Sequence, residues 1–132
     1  MERCDLEELL ELEKRLYFKL SETMDLTRQM AEAIDRQDDT SLGLLLSMRQ
    51  EPLLELQEIQ SYIALTRVDL SPEDARLFDS LLGGEPAQSP DCAPVEAQIA
   101  ANRRVLELLT ELDRKLNRKL CGEQSCYEGG RV

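Results

Sequence analysis

The 132-residue chain contains no histidine and no tryptophan. Without histidine, the ordinary Ser-His-Asp and Cys-His arrangements of nucleophilic catalysis cannot form. The Glu-x-x-His pairs of di-metal carboxylate bundles are excluded for the same reason. The glycines are isolated or in terminal pairs, and none belongs to a phosphate-binding loop. We therefore expect no enzymatic activity and no cofactor.

Cysteines are few, and the spacing of Cys4, Cys92, Cys121 and Cys126 fits no disulfide scaffold. We expect no signal peptide ahead of Leu6, and no apolar run approaches the roughly 20 residues that cross a bilayer. Reduced thiols in the cytosol are therefore expected. A metal site at Cys121 and Cys126 is not expected, because paired zinc ligands usually lie about two to four residues apart and need further ligands.

Basic residues are outnumbered by acidic ones, 16 to 27, which gives a net charge of −11. The excess is uneven, since residues 1–66 hold 15 acidic and 7 basic residues, whereas residues 95–132 hold 6 and 7. Phosphate binding needs clustered lysine and arginine. This balance disfavours nucleic acid and anionic membranes as partners and favours a soluble protein partner.

Aromatic residues make up only 4% of the chain, so its core must be built from leucine, isoleucine, methionine and alanine. Leucine-rich apolar residues recur at helical spacing over residues 6–34, 42–63 and 95–120. Long amphipathic helices joined by a tight turn bury their apolar stripes by packing side by side. The predicted fold is all-α: one domain, 1–132, forming an antiparallel bundle of three long helices plus one short helix.

Helix-capping and helix-breaking residues divide this domain into five parts. A helical hairpin is predicted over 1–67, a short helix over 71–82, a loop over 83–94, a C-terminal helix over 95–121 and a flexible tail over 122–132. Asp5 is the expected cap of the first helix, and Asp38 lies in a turn rich in capping residues. Ser71 and Pro72 are a strong start for the short helix, which Gly83 should end.

Both helices of the hairpin contain residues that interrupt their apolar stripes. In the first helix, Glu13, Thr23 and Thr27 interrupt the predicted inner positions, which are Leu6, Leu9, Leu10, Leu16, Tyr17, Leu20, Met24, Met30, Ala31 and Ile34. In the second, Pro52 predicts a kink or break near residues 49–51. Arg49 lies within the apolar arc, where it either snorkels to water or contacts a partner.

The last helix has apolar residues over about half of its circumference, more than packing against the hairpin requires. They are Val95, Ile99, Val105, Leu106, Leu108, Leu109, Leu112, Leu116 and Leu120. Asn102, Asp113 and Asn117 lie inside or at the edge of this arc. Polar side chains there must be hydrogen-bonded or face water. They either fix the register of the bundle or border a groove for a partner.

Two stretches of the chain resemble flagellar export chaperones of the FlgN/FliT type. In that family a long first helix ends at an acidic turn, and leucines and an Arg-Gln pair open the second helix. The corresponding residues here are Met30 to Ile34, Asp38, Leu42, Leu45, Arg49 and Gln50. The final helix is also similar, with Asn102, Leu106, Leu109, Leu116 and Leu120 followed by Tyr127 and Gly129 in the tail. Pro52 and the proline-rich loop before Val95 depart from the family pattern.

The resemblance implies a cytosolic chaperone that binds amphipathic helical ends of flagellar hook-associated proteins and keeps them unassembled before type III secretion. Binding would place the client's apolar stripe against the last helix. On this hypothesis the partner-binding residues are Asn102, Leu106, Leu109, Leu112, Asp113, Leu116 and Leu120. A weak homodimer is compatible with this role. The alternatives are a helical module that self-associates into a dimer or larger bundle through the last helix, and a protein that sequesters a regulator.

Overall fold

The computed structural model describes residues 1–86 and 89–121. Over these residues the chain forms four α-helices and no strand. The helices are α1 (Arg3–Asp35), α2 (Asp39–Val68), α3 (Pro72–Leu82) and α4 (Ala93–Cys121), and a 3₁₀ turn at Pro90–Cys92 leads into α4. Three long helices and one short one confirm the predicted fold class. The predicted tail 122–132 lies outside the described residues.

Local capping explains where most helices begin. The Asp38 carboxylate accepts hydrogen bonds from the Ser41 backbone N–H at 3.0 Å and from the Ser41 hydroxyl at 2.6 Å. These bonds lower the pKa of Asp38 and fix the start of α2. Ser71 accepts from the Asp74 N–H at 3.2 Å, as predicted for the start of α3.

The start of α1 differs from the prediction. The helix begins at Arg3, and Asp5 is already inside its first turn. There the Asp5 carboxylate accepts a hydrogen bond from the Glu2 backbone N–H at 3.2 Å. The expectation that Asp5 precedes and caps the helix is therefore wrong, because its side chain reaches back to the residue before the helix.

Of the kink or break predicted near Pro52, the break does not occur, since α2 runs through this residue without interruption. Proline removes only one backbone donor. The side chain of Pro52 is fully buried in the bundle. Because most helical stability in proteins comes from tertiary packing, that burial outweighs the missing hydrogen bond.

The hydrophobic core follows α1, which lies between α2 and α4 and packs against both. Three groups of buried side chains succeed one another along it. The first contains Leu6, Leu9, Leu12, Ile59, Ile63, Phe78, Leu81, Cys92, Val95 and Ile99. The second contains Leu20, Met24, Leu56 and Leu109, and the third contains Leu26, Met30, Ala33, Leu45 and Leu116. Through Phe78 and Leu81, α3 covers the end of the bundle where the first group lies.

The residues predicted to interrupt the stripe of α1 are buried. Thr23 and Thr27 donate their hydroxyls to the carbonyl oxygens of Lys19 and Thr23, at 2.8 and 2.7 Å, so their polar groups are satisfied inside the helix. By contrast Tyr17, predicted as an inner residue, is exposed. The inner arc of α1 is wider and rotated relative to the prediction, because α1 carries a helix on two sides.

The cysteines only partly match expectation. Cys4 and Cys92 are free, whereas Cys121 takes part in a disulfide. The expectation of a reduced thiol is therefore wrong for Cys121. Cys126 lies outside the described residues.

Within residues 1–86 and 89–121, none of the helices combines the length and the apolar character needed to span a membrane.

Candidate functional site

An open groove runs between α2 and α4. Both helices pack on α1, yet no Cα atom of α2 comes within 8 Å of a Cα atom of α4. The space between them has a volume of about 390 Å³. Its lining residues are Glu13, Leu16, Leu20, Leu53, Leu56, Gln57, Gln60, Leu82, Ile99, Asn102, Arg103, Leu106, Leu109, Thr110 and Asp113. The bundle thus has a gap on one side where a further helix would complete it.

Leucines dominate the surface of this groove. Leu16 and Leu20 of α1 form its floor, Leu53 lies on the α2 side, and Leu106 and Leu109 lie on the α4 side. Leu106 remains 48% exposed although it borders other apolar side chains. Covering an apolar side chain in such a position with a partner lowers the free energy, because apolar surface is removed from water.

Separate exposed leucines lie on both walls beyond the Arg49–Asp113 contact. Leu46 lies seven residues before Leu53, and Leu120 lies fourteen residues after Leu106, so each falls on the same side of its helix as the groove leucine. Both are exposed. The groove lining on α4 itself runs from Ile99 to Asp113, about four helical turns, which matches the shape of a helix rather than that of a small molecule.

A buried polar pair, Glu13 and Asn102, lies in the floor of the groove. The Asn102 amide donates to the Glu13 backbone carbonyl at 2.8 Å and to the Glu13 carboxylate at 2.9 Å. The amide oxygen of Asn102 accepts from Gln98 at 3.2 Å. Burial raises the pKa of Glu13, and the hydrogen bond from Asn102 opposes that change. The pair fixes the register of α1 against α4.

A three-helix connection bounds one end of the groove. The Arg49 guanidinium of α2 donates to the Thr27 hydroxyl of α1 at 2.9 Å and to the Asp113 carboxylate of α4 at 2.8 Å. Arg49 is mostly buried and Asp113 is partly exposed. Arg49 therefore neither extends to water nor contacts a partner protein. Its guanidinium pairs with Asp113 of the same chain.

The other end of the groove is bounded by Arg103 and the end of α3. The Arg103 guanidinium donates to the Leu82 carbonyl at 2.5 Å. Gly84 follows in the left-handed region, with φ +84°, and a Cβ there would lie 2.7 Å from an Arg103 nitrogen. Glycine is favoured because this backbone conformation strains any other residue, and a side chain would also displace the end of Arg103.

The structure separates the predicted partner-binding residues into two sets. Asn102, Leu106, Leu109 and Asp113 line the groove. Leu112 is half-buried beside the second core group, and Leu116 is buried in the third. Leu120 is exposed. Since Leu109 and Leu116 are enclosed by this chain, the apolar surface that α4 leaves for a partner is narrower than predicted.

Sequence reasoning missed the contributions of α1 and α2 to the groove. Glu13 was interpreted as an interruption, and Leu53, Gln57 and Gln60 were not selected. The sequence nevertheless indicates that α2 has a second apolar surface. Leucines and other apolar residues occur on several sides of this helix instead of on one stripe. Such a distribution indicates a helix with neighbours on more than one side.

Two other places near the start of α1 bring polar or charged groups together. A cleft of about 600 Å³ lies beside Met1, Leu10 and Pro90, and charged residues line part of it. Among the described residues, Glu2, Cys4 and Asp5 bring possible metal-ligand atoms within 4.8 Å of one another. Asp5 is already used at the start of α1. Neither place has the continuous apolar surface of the groove.

A separate apolar patch lies on the side of the α1–α2 pair formed by Phe18, Tyr62 and Leu65. All three side chains are exposed. Shallow clefts beside them are lined by Arg15, Glu58 and other charged residues. Exposed aromatic side chains in a chain with so few of them suggest a second contact surface.

Comparison with protein-family models, with curated proteins and with solved structures found no match. Of the residues behind the resemblance to export chaperones, Arg49, Asn102, Leu106 and Leu109 lie at the groove or its end. Tyr127 and Gly129 lie outside the described residues.

Proposed function

We propose that this protein binds an amphipathic helix of another polypeptide in the groove between α2 and α4. The observation that carries the proposal is the separation of these two helices, which leaves a leucine-lined gap along α1. A helix laid there would place its apolar stripe on Leu53 and Leu106 and its polar face toward water.

The expected affinity is moderate. Fully burying a leucine contributes about 1.5–3 kcal/mol, and the exposed groove leucines are already partly covered. Ordering a flexible client segment costs roughly 2–5 kcal/mol. A reversible complex results, which suits a protein that shields a sticky segment and later releases it.

The finer proposal is a cytoplasmic export chaperone, without catalytic activity, for the helical ends of flagellar hook-associated proteins. Its support is the resemblance to FlgN/FliT chaperones together with the position of the resembling residues at the groove. A protein that sequesters a regulator would use the same surface, so the identity of the client distinguishes the two roles.

The test compares two leucines on α4. Leu106 lines the groove and Leu108 does not, yet both are exposed, so either can be changed with little effect on folding. The probes are C-terminal segments of hook-associated proteins and a synthetic leucine-rich amphipathic helix, with binding measured by calorimetry. Leu106→Glu should weaken binding about tenfold or more, whereas Leu108→Glu should not. Equal affinity of the two variants, or no binding of any probe to the native protein, would refute the proposal.

Self-association is a second candidate, favoured by the separate patch of Phe18, Tyr62 and Leu65. Charges of both signs, such as Arg15 and Glu58, border this patch and form no ion pair within residues 1–86 and 89–121, so two copies related by a two-fold axis can pair them. Sedimentation of the native protein and of Phe18→Ser tests this. A concentration-dependent dimer that is lost in the variant supports it, and a monomer at all concentrations excludes it.

A further inference from the structure

Glu13 is an acidic side chain in the floor of an apolar groove, and it is only 4% exposed. Among the residues that the structure describes, its carboxylate has one hydrogen-bond donor, the neutral amide of Asn102. No lysine or arginine of the described residues forms an ion pair with it, and burial raises its pKa. A neutral donor satisfies one lone pair of the carboxylate without cancelling the charge.

Two other charged groups line the groove, Asp113 and Arg103. Asp113 is paired with Arg49 at 2.8 Å. The Arg103 guanidinium donates to the neutral Leu82 carbonyl, and it forms no ion pair with Glu13. Neither is therefore the counter-charge of Glu13, and within residues 1–86 and 89–121 this buried carboxylate has no cationic partner.

We propose that the groove selects a helix that carries one lysine or arginine within its apolar face, and that this cation pairs with the Glu13 carboxylate. The inference rests on the proposed function and names the chemistry of the client. An entirely apolar client would bury the carboxylate further without compensation. A client with one cation in register would meet an acceptor that Asn102 and Gln98 already hold in place.

The consequence is specificity rather than tight binding. Buried charge pairs contribute little net affinity compared with apolar contacts, but they penalise a partner that lacks the matching charge. A client bound out of register, with its cation one turn away, would lose the pair and leave both charges poorly solvated. Glu13 would thus define which segment binds and at which position.

The experiment uses synthetic amphipathic helices that are identical except at one apolar position, occupied by lysine or by norleucine. The lysine is placed at each apolar position in turn. For the native protein, one lysine position should bind at least about tenfold more tightly than the others. In Glu13→Gln, which keeps an acceptor for Asn102, this positional preference should disappear. In Glu11→Gln, a change at an exposed acid of the same helix, it should remain.

The pH dependence gives a second readout that needs no variant. Binding of the norleucine helix should strengthen as the pH falls and Glu13 becomes neutral, whereas the preference for the lysine helix should weaken over the same range. This inference would be overturned if the affinity did not depend on the position of the lysine, or if Glu13→Gln kept the positional preference. Either result would leave the binding function intact. If no helix binds the native protein at all, the proposed function itself fails.

Discussion

Single residues in the floor of the groove combine burial with hydrogen bonding. Asn102 and Glu13 come from positions 89 residues apart in sequence, yet their two hydrogen bonds join α4 to α1. A buried polar group costs free energy when it loses its partner, more than the partner contributes when present. Because of this asymmetry, removing either side chain of the pair should lower the free energy of unfolding.

Asn102→Ala should lower the free energy of unfolding by about 1–3 kcal/mol, because it leaves the Glu13 carboxylate buried without a donor. Urea denaturation measures the change. Asn117→Ala is the matched control, since Asn117 lies on the same helix and is exposed; it should change stability by less than about 0.5 kcal/mol. Equal effects of the two substitutions would show that the pair contributes nothing to stability.

Glu13 should also give the protein a characteristic dependence of stability on pH. Its pKa in the folded state is raised above the ordinary value of 4.5. As the pH rises from 4.5 to that raised value, the unfolded chain loses the proton first, so the folded state loses stability. Below 4.5 both states are protonated and the effect vanishes.

The difference in unfolding free energy between the native protein and Glu13→Gln isolates this contribution. The native protein should lose stability relative to the variant as the pH rises through that window. Asp38 and Asp79, whose pKa values are lowered by their partners, act in the opposite direction but are present in both proteins and cancel. A difference that does not change with pH would exclude an ionisable, buried Glu13. Urea denaturation at several pH values provides the measurement.

Sequence alone does not identify these residues. In a helical projection, Glu13 and Thr27 fall within the apolar stripe of α1. They are predicted to interrupt it, because a polar residue is more often exposed than buried. Their partners, Asn102 and Arg49, lie on other helices. Which polar residues meet depends on the packing of those helices, and spacing within one helix carries no information about it.

At the scale of helices, Arg49 joins all three long helices. Its guanidinium contacts α1 at Thr27 and α4 at Asp113. Because α2 and α4 are separated along the groove, this connection fixes their spacing at that end. The width of the groove therefore depends on a polar contact as well as on apolar packing.

A double-mutant cycle of Arg49→Met and Asp113→Asn should give a coupling energy of about 0.5–3 kcal/mol, the range for residues in one polar network. The control pair is Arg28 and Asp25, whose closest charged atoms are 3.8 Å apart at an exposed site. Exposed pairs contribute about 0–1 kcal/mol, and this one should lie at the lower limit. Thermal or urea unfolding gives the energies. Coupling no larger than that of the control would mean that Arg49 does not connect α2 and α4.

Helix positions were largely predictable, whereas helix neighbours were not. Ser71 and Asp38 marked helix starts because capping chemistry is local. Pro52 does not break α2, because local propensity is weaker than burial in the bundle. The groove itself has no local signal, since it arises where two helices pack on a third while their own Cα atoms stay more than 8 Å apart.

At the scale of the whole molecule, the charge of −11 affects how any partner arrives. An acidic protein repels acidic helices and attracts basic ones over distances comparable to the Debye length, about 8 Å at physiological ionic strength. This attraction is distinct from the buried contact at Glu13, because it acts before docking and is screened by salt.

Association with a helix that carries lysines on its polar face should therefore slow as salt is raised from about 0.01 to 0.5 M, whereas dissociation should change little. Stopped-flow fluorescence with a labelled peptide measures both rates. A peptide with the same apolar face and glutamates on its polar face is the control, and its association should accelerate over the same range because salt screens repulsion. If the two peptides associate with the same salt dependence, the net charge of the protein has no part in recognition, and the choice of partner rests on the groove alone.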